Sequence, residues 1–348
     1  MIVLSLNPKV FEYPFNTLDK IITPNEQFYV RSHFPDPEID IHSWRLSVEG
    51  CVSSPLQLSY DELLQMPART VVSTLECAGN NRLFLIPPVE GVQWGLGGAS
   101  TAEWTGVPLV AVLERAGIQP NAVDIILEGA DSGEVELEPK PVGPIQYARS
   151  LPRAKALDPD VLLCYRMNGE ELSVPHGYPL RAIVPGWYAM ASVKWLKRIT
   201  VSERRFGGYF QTTDYAFWQS HNALPTRVPI SKMLVKAEIS RPQLHETVPT
   251  NTEYHISGAA WVGESTIAKV EISTDNGETW AEAQLTGTPV RNAWQFFECL
   301  WRTPASPGVH TLLARATDEN GNSQPMQHDP DHGPYMINHC LPITVEVV

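Results

Sequence analysis

The pattern of apolar and polar positions changes once along the chain, near residue 230. Before that point, short strand patterns are mixed with a few helical ones. Residues 44–50 alternate as a half-buried strand. Ser59 and Glu62 form a capping box in front of one predicted helix, and residues 109–117 predict a second, with an apolar face and a closing glycine. This part of the chain therefore predicts a mixed α/β region.

After residue 230 the sequence consists of short alternating segments at close spacing, which is typical of an antiparallel sandwich. The turns at 275–278 and 319–322 contain the Asn-Gly pairs of tight hairpins. The clearest predicted strands are residues 235–239, 254–258, 269–274 and 311–316. We therefore predict an α+β fold with two domains, residues 1–228 and 229–348.

Composition narrows the class of protein. The 348 residues carry a formal net charge of −13, which argues against nucleic acid or anionic lipid as the main partner. No apolar run approaches 18 residues, and residues 1–8 lack the features of a signal peptide, so we expect neither a membrane span nor a leader.

The cysteines bear on the compartment and on metal sites. All five are scattered, without any Cys-x-x-Cys pair, which excludes a zinc knuckle, an iron–sulfur signature and a c-type haem attachment. A disulfide framework is not expected either, so the sequence predicts a cytoplasmic protein, or a periplasmic one if a leader has been removed.

Cys77 stands out by its local context. It follows a β-branched run, at the point where Ala78, Gly79 and two asparagines turn the chain, and Arg82 comes five residues later. A thiolate is a soft ligand for a redox metal, and a nearby cation favours the thiolate. Taken alone, however, the position is better explained as a small buried core residue.

Several segments, in a fixed order, resemble the molybdenum domain of the sulfite oxidase family. Part of the region after residue 230 is similar to the immunoglobulin-like dimerisation domain of that family. No single segment decides the matter, but their joint order is specific. The molybdenum-domain segments are residues 77–82, 91–94, 98–109, 162–169, 176–186 and 193–196, and the dimerisation segments are residues 258–261 and 272–280.

The resemblance implies a molybdenum ion bound by the Cys77 thiolate and by the dithiolene of one molybdopterin. It also implies two sets of side chains. The residues expected to hold the cofactor are Arg31, His33, Asp131, His176, Arg181, Ser192, Val193 and Lys194. The residues expected around the substrate are Arg31, Arg82, Trp94 and Tyr165.

Local patterns leave other roles open for some of these side chains. Residues 27–34 predict a strand on which Arg31 and His33 share one face, and both side chains fit an exposed strand edge as well as a site. Asp131 also suits a turn, and Tyr165 suits a buried strand. The guanidinium and imidazole groups together provide what an anionic, multiply hydrogen-bonding cofactor requires.

The implied reaction is oxidation of sulfite to sulfate by oxygen-atom transfer. Because the chain shows no haem-binding segment, we expect the electrons to pass to a separate acceptor such as a cytochrome c. We also expect a homodimer formed through the C-terminal domain. Alternatives are a related molybdoenzyme for another oxyanion or sulfur compound, as in nitrate reductases, and a metal-free scaffold protein.

Two positions depart from the vertebrate pattern of the family. Glu90 stands where a lysine is expected, and an arginine expected near the C-terminus is missing from the stretch that contains His328, His332 and Pro334. Both changes make the mouth of the implied site less positive. They therefore bear on the identity of the substrate.

Overall fold

The computed structural model describes residues 1–221 and 224–348. In these residues the chain is mostly β-sheet, with four short α-helices and several 3-10 turns. The helices are α1 (Tyr60–Leu64), α2 (Leu109–Ala116), α3 (Arg153–Ala156) and α4 (Tyr209–Thr212). None of the helices in the described residues is both long and apolar enough to cross a membrane.

The strands before residue 230 form four sheets. In chain order they are β1 (Ile2–Leu6), β2 (Lys9–Glu12), β3 (Val30–Arg31), β4 (Leu46–Gly50), β5 (Leu56–Leu58), β6 (Arg69–Glu76), β7 (Ala99–Pro108), β8 (Asp124–Gly133), β9 (Ile145–Pro152), β10 (Leu162–Met167), β11 (Glu170–Glu171), β12 (Arg181–Ile183), β13 (Leu196–Ser202), β14 (Ala216–His221) and β15 (Leu224–Pro229). One five-stranded sheet has the order β5-β4-β13-β8-β9, and another has the order β11-β10-β7-β6 with β12 paired to β10.

The remaining strands form one eight-stranded sheet. They are β16 (Lys236–Arg241), β17 (Thr247–Val248), β18 (Glu253–Trp261), β19 (Ile267–Ser273), β20 (Ala281–Thr286), β21 (Gln295–Arg302), β22 (Gly308–Asp318) and β23 (Ile343–Val347). Their order is β16-β18-β21-β20-β19-β22-β23-β17, and only β17 and β23 run parallel. We call these strands the C-terminal sheet. Side chains such as Ile256, Val270 and Ile272 fill its own core. The predicted α+β class with a C-terminal sandwich is confirmed.

Local signals explain several element boundaries. Ser59 accepts a hydrogen bond from the Glu62 amide while the Glu62 carboxylate accepts one from the Ser59 amide, so the capping box starts α1 as predicted. At the end of α2, Gly117 adopts φ +70°, a left-handed conformation that suits glycine. The predicted domain boundary falls one residue before the end of β15 and stays a prediction.

The strand predicted over residues 27–34 is much shorter in the structure. Asn25–Gln27 form a 3-10 turn, and the Pro24 carbonyl accepts hydrogen bonds from the amides of Gln27 and Phe28. These amides cannot also serve a sheet, so only Val30–Arg31 join β2. Arg31 and His33 nevertheless come to the same cavity, which is described below.

Candidate active site

Cys77 lies directly beyond the end of β6. Glu76, the last residue of β6, pairs with Ala99 of β7, and the Cys77 amide donates a hydrogen bond of 2.8 Å to the Gly98 carbonyl. The Cys77 carbonyl in turn accepts a hydrogen bond of 2.9 Å from the Asn80 amide, which closes a turn. We call residues 77–82 the Cys77 loop. The sheet therefore fixes one end of this loop and leaves the thiol at its edge.

The glycine inside this turn lies against the end of the Arg82 side chain. A Cβ atom at residue 79 would lie 2.3 Å from a terminal nitrogen of the Arg82 guanidinium, so the guanidinium would have to move from its present position. The side chain of Arg82 folds back over Gly79 because its hydrogen-bond partners lie in that direction. The small residues of the predicted motif thus make room for the arginine.

The thiol of Cys77 opens onto a cavity that also gathers most of the predicted site residues. We call it the Cys77 cavity. Its wall comes from β3, β6, β8, β9, β12 and the loops around residues 175 and 190. The lining residues are Phe28, Tyr29, Val30, Arg31, His33, Leu75, Cys77, Ala78, Asp131, Tyr147, Pro175, His176, Arg181, Ala189, Met190, Ser192, Lys194, Trp195 and Tyr215.

Three cations line this cavity without a carboxylate partner. Within residues 1–221 and 224–348, Arg31, Arg181 and Lys194 form no ion pair shorter than 4.0 Å. Arg181 donates to the carbonyls of His176 and Ser192, at 2.9 and 3.2 Å, and the Lys194 ammonium donates to the Ser32 hydroxyl at 2.8 Å. Hydrogen bonds orient these groups, but their charges remain free to bind an anion.

Burial shapes the titration of this wall. Desolvation, followed by repulsion from Arg181, lowers the pKa of Lys194 to about 7. Burial is also the main reason why the pKa of His176 is lowered to about 3, and it holds the pKa of His33 well below its usual value. Both imidazoles are therefore neutral at pH 7, and each can donate or accept a hydrogen bond.

Two buried polar atoms at the wall lack protein partners. In the described part of the chain, neither Oδ1 of Asp131 nor Nε of Arg181 finds a hydrogen-bond partner. Desolvation raises the pKa of Asp131 to about 6, although the nearby Lys194 opposes this rise. Buried polar groups are rarely left unpaired, so these atoms fit a ligand that offers both donors and acceptors.

Cys77 suits the role of a single protein ligand to a metal. Burial raises the pKa of its thiol, and the Gly79 amide and the Arg31 charge only partly offset this effect. A bound cation would supply the missing stabilisation of the thiolate. Among the described residues, no three His, Cys, Asp or Glu side chains are grouped so that they could hold a metal by themselves. The remaining ligands would thus come from the cofactor, and the donor set fits a molybdopterin.

Tyr215 is the functional candidate that sequence reasoning missed. Its hydroxyl lies 2.6 Å from Nε2 of His33, and its ring packs 5.0 Å from the ring of Tyr335. Tyr215 lines the Cys77 cavity and is 4% exposed. It precedes β14, in a segment without clear periodicity, so no local pattern singled it out.

Four predicted site residues lie outside the cavity wall in the described structure. Tyr165 is buried at a register shift between β10 and β7 and does not line the Cys77 cavity, whereas Tyr215 does. Trp94 is fully buried and packs edge-on against Tyr29, with ring centres 5.8 Å apart. Val193 lies beneath the wall, where its carbonyl accepts a hydrogen bond from the Ala182 amide.

Arg82 is the fourth of these residues. Its Nε and one terminal nitrogen donate to the Pro334 carbonyl at 3.1 and 3.0 Å, and its other terminal nitrogen donates to the Val92 carbonyl at 2.8 Å. The guanidinium also lies over the ring of Tyr335, 5.2 Å from its centre. These contacts direct Arg82 toward the stretch after β22 rather than into the cavity.

Comparison with known proteins agrees with this geometry. A family model described as "Oxidoreductase molybdopterin binding domain" matches residues 33–210, and one described as "Mo-co oxidoreductase dimerisation domain" matches residues 227–332. Sulfite oxidase of Gallus gallus is 35% identical over 327 residues, which cover 88% of this chain and 69% of that protein. The chain belongs to the sulfite oxidase family.

Other members of the sulfite oxidase family and its relatives extend the comparison. Mitochondrial sulfite oxidase of Mus musculus is 35% identical over 87% of this chain and 57% of its own length. Nitrate reductase [NADH] 1 of Oryza sativa subsp. japonica is 34% identical over 87% of this chain, but over only 36% of its own length. The chain thus spans just over half the length of the mouse protein.

A solved structure supports the same fold. The sulfane dehydrogenase SoxCD from Paracoccus pantotrophus superposes with a TM-score of 0.83 at 28% identity, covering 97% of this chain and 84% of that one. The predicted sulfite oxidase resemblance, the molybdenum–molybdopterin cofactor and the oxidoreductase class are confirmed by these findings. The metal-free scaffold alternative is not retained.

Proposed function

We propose that this protein oxidises sulfite to sulfate. In this reaction sulfite and water yield sulfate, two electrons and two protons. The proposal rests on one observation above all: Cys77 shares a single cavity with three cations that have no carboxylate partner among residues 1–221 and 224–348. Membership of the sulfite oxidase family supports the reaction class.

The wall of the Cys77 cavity would hold the cofactor as follows. Cys77 would bind the molybdenum through its sulfur. The cofactor, when bound, supplies the two-electron redox change and the oxygen that is transferred. Arg181 and Lys194 would bind anionic oxygens of the molybdopterin, and the neutral imidazole of His176 would hydrogen-bond to it. Asp131, whose Oδ1 has no hydrogen-bond partner among the described residues, would accept a hydrogen bond from the pterin.

The substrate would be bound by Arg31 and Tyr215. The guanidinium of Arg31 can hold two oxygens of a tetrahedral anion. Tyr215 can donate its hydroxyl hydrogen to an oxygen of the substrate or, between turnovers, to His33. Losing one such interaction should cost a few kcal/mol of transition-state stabilisation, roughly a hundredfold in rate.

The electrons would pass to a separate protein such as a cytochrome c. The net charge of −13 favours a positively charged partner, because opposite charges accelerate encounter. We further propose that two chains pair through residues 229–348, in line with the dimerisation-domain match. The cytoplasmic location remains a proposal based on the five scattered cysteines, which are all free in the structure.

A second candidate is oxidation of a different sulfur compound. The likeness to a sulfane dehydrogenase favours it, and so do two side chains. Glu90 is exposed where the family resemblance implies a lysine, and Arg82 donates to the backbone carbonyls of Pro334 and Val92 instead of lining the cavity. Fewer free cations would weaken binding of a dianion.

A substrate screen on molybdenum-loaded protein tests the proposal. Sulfite, thiosulfate and a sulfane compound are each offered with ferricyanide as electron acceptor, and nitrate is offered with a reduced viologen dye. Fast ferricyanide reduction with sulfite supports the proposal. Turnover of only another sulfur compound supports the second candidate, and turnover of nitrate alone contradicts both.

A further inference from the structure

A second cluster of buried charges contacts the Cys77 loop without lining the cavity. Lys236, the first residue of β16, is 1% exposed, and its ammonium lies 2.6 Å from Oε1 of Glu76. It also donates to Oδ1 of Asn81 at 2.5 Å. Trp261 of β18 donates its indole hydrogen to Oε2 of Glu76 at 2.9 Å. We call Glu76, Asn80, Asn81, Lys236, Glu238 and Trp261 the buried charge network.

The network connects the C-terminal sheet to the residues on both sides of Cys77. Glu76 immediately precedes the cysteine, and Asn81 follows it in a left-handed conformation with φ +71°. Asn80 joins the two parts, because its amide nitrogen donates to Oε1 of Glu238 at 3.2 Å and its oxygen accepts from the Gly98 amide at 2.9 Å. Both ends of the Cys77 loop thus depend on side chains from β16 and β18.

The charges of the network nearly balance. Burial raises the pKa of Glu238 to about 8, so this carboxyl is mostly protonated at neutral pH. Lys236 and Glu76 then remain as one opposite pair, and both are almost completely buried. Such a pair adds little to stability compared with apolar residues, but removing one partner leaves an uncompensated charge in the interior. The pair is better explained by a positional role.

We propose that Lys236 positions Cys77 for the metal. The ammonium fixes the Glu76 carboxylate and the Asn81 amide, and the cysteine between them is thereby held at the cavity edge. The C-terminal sheet then forms part of the molybdenum site, in addition to any role in dimerisation. This inference rests on the proposed role of Cys77 as metal ligand, but it does not depend on which substrate is oxidised.

The test measures cysteine reactivity in the full-length protein prepared without cofactor. N-ethylmaleimide labelling is followed by mass spectrometry at Cys77, Cys164 and Cys340, all of which are buried. In Lys236→Met we expect labelling of Cys77 to accelerate about tenfold, with the other two unchanged. A merely structural role would instead accelerate labelling at all three, because the whole fold would loosen. That outcome, or unchanged labelling of Cys77, overturns the proposal.

Further variants keep the test decisive if Lys236→Met does not fold. Trp261→Phe keeps an aromatic side chain, although a smaller one, but removes the hydrogen bond to Glu76, and a smaller acceleration at Cys77 alone is expected. Combining Lys236→Met with Glu76→Gln removes the carboxylate that would otherwise be left unpaired. Cys164 and Cys340 should then stay unreactive. Lys269→Met is the matched control, since this lysine is half-exposed on β19 and pairs with Glu271.

Molybdenum per chain, measured after expression in a host that makes molybdopterin, provides a second readout. Lys236→Met should retain at most half the metal of the wild-type protein, and Lys269→Met should retain all of it. Equal metal content in the two variants contradicts the proposal. If the wild-type protein itself binds no molybdenum, the proposed function fails, whereas the labelling result still reports on the Cys77 loop.

Discussion

The Cys77 cavity and the buried charge network both place cations beside the same cysteine, but only the network pairs its cation with a carboxylate. In the network, Lys236 lies 2.6 Å from a carboxylate. In the cavity, Arg31, Arg181 and Lys194 have no carboxylate within 4.0 Å among the described residues. Unpaired charges that are buried or partly buried destabilise a fold, so the cavity lowers the stability of the protein without its ligand. The comparison indicates that the cavity cations are placed to bind an anionic ligand, whereas Lys236 is already paired with Glu76.

The largest effect should follow from removing the thiol between the two regions. Cys77→Ser replaces a soft ligand by a hard one that stays protonated, so sulfite-dependent reduction of ferricyanide should fall to background. Cys299→Ser is the control, because this half-exposed thiol lies on β21 and should be dispensable. Activity in Cys77→Ser within tenfold of the control would refute the metal assignment.

The next effect distinguishes an arginine at the cavity from one outside it. Arg31→Met should lower kcat/KM for sulfite about a hundredfold, because a charged contact to the substrate is lost. Arg82→Met should instead lower the free energy of unfolding by about 2 kcal/mol, because the partly buried carbonyls of Pro334 and Val92 lose their donors. Steady-state kinetics and denaturant unfolding of both variants check the contrast. A larger loss of kcat/KM in Arg82→Met would restore the substrate role predicted from the sequence.

The sequence could predict the cavity better than the network. The cysteine turn, the Arg-x-His pair at 31–33 and the segments around His176 and Lys194 each have a recognisable local form. All of them reach one cavity. The pairing of Glu76 with Lys236 joins residues 160 positions apart, on strands of different sheets. Nothing local in either segment indicates the partner, since a lone lysine in a strand usually faces solvent.

The tyrosines show a second limit of sequence reasoning. Tyr165 has a clear strand context, and that context is the reason it is buried between neighbours instead of facing the cavity. Tyr215 has φ +27°, an unusual backbone conformation that its surroundings impose. No periodic pattern in the sequence predicts its position. Residues of irregular segments often line sites, but only the assembled fold reveals which of them do.

A smaller effect separates these two tyrosines. Tyr215→Phe should lower kcat/KM for sulfite about tenfold, because one neutral hydrogen bond to the substrate or to His33 is removed. Tyr165→Phe is the matched control and should leave kcat/KM unchanged. The two variants differ from the wild-type protein by one oxygen atom each, so equal effects would show that position relative to the cavity does not matter.

The smallest effect concerns the cost of leaving Lys194 unpaired. Its pKa is about 7 in the fold, below its ordinary value of 10.5, so between these values the unfolded chain binds more protons and stability rises with pH. The raised pKa of Glu238 makes stability fall as the pH rises to about 8. Glu238 is present in both the wild-type protein and Lys194→Met, so its effect cancels in the comparison. From pH 7 to 8.5, the cofactor-free wild-type protein should therefore gain stability relative to Lys194→Met, by about 1 kcal/mol per pH unit at most. Thermal unfolding midpoints of the two proteins at both pH values check this. If the midpoints of the two proteins change equally between pH 7 and 8.5, the unpaired ammonium of Lys194 does not lower stability. The contrast with Lys236 would then have no energetic basis.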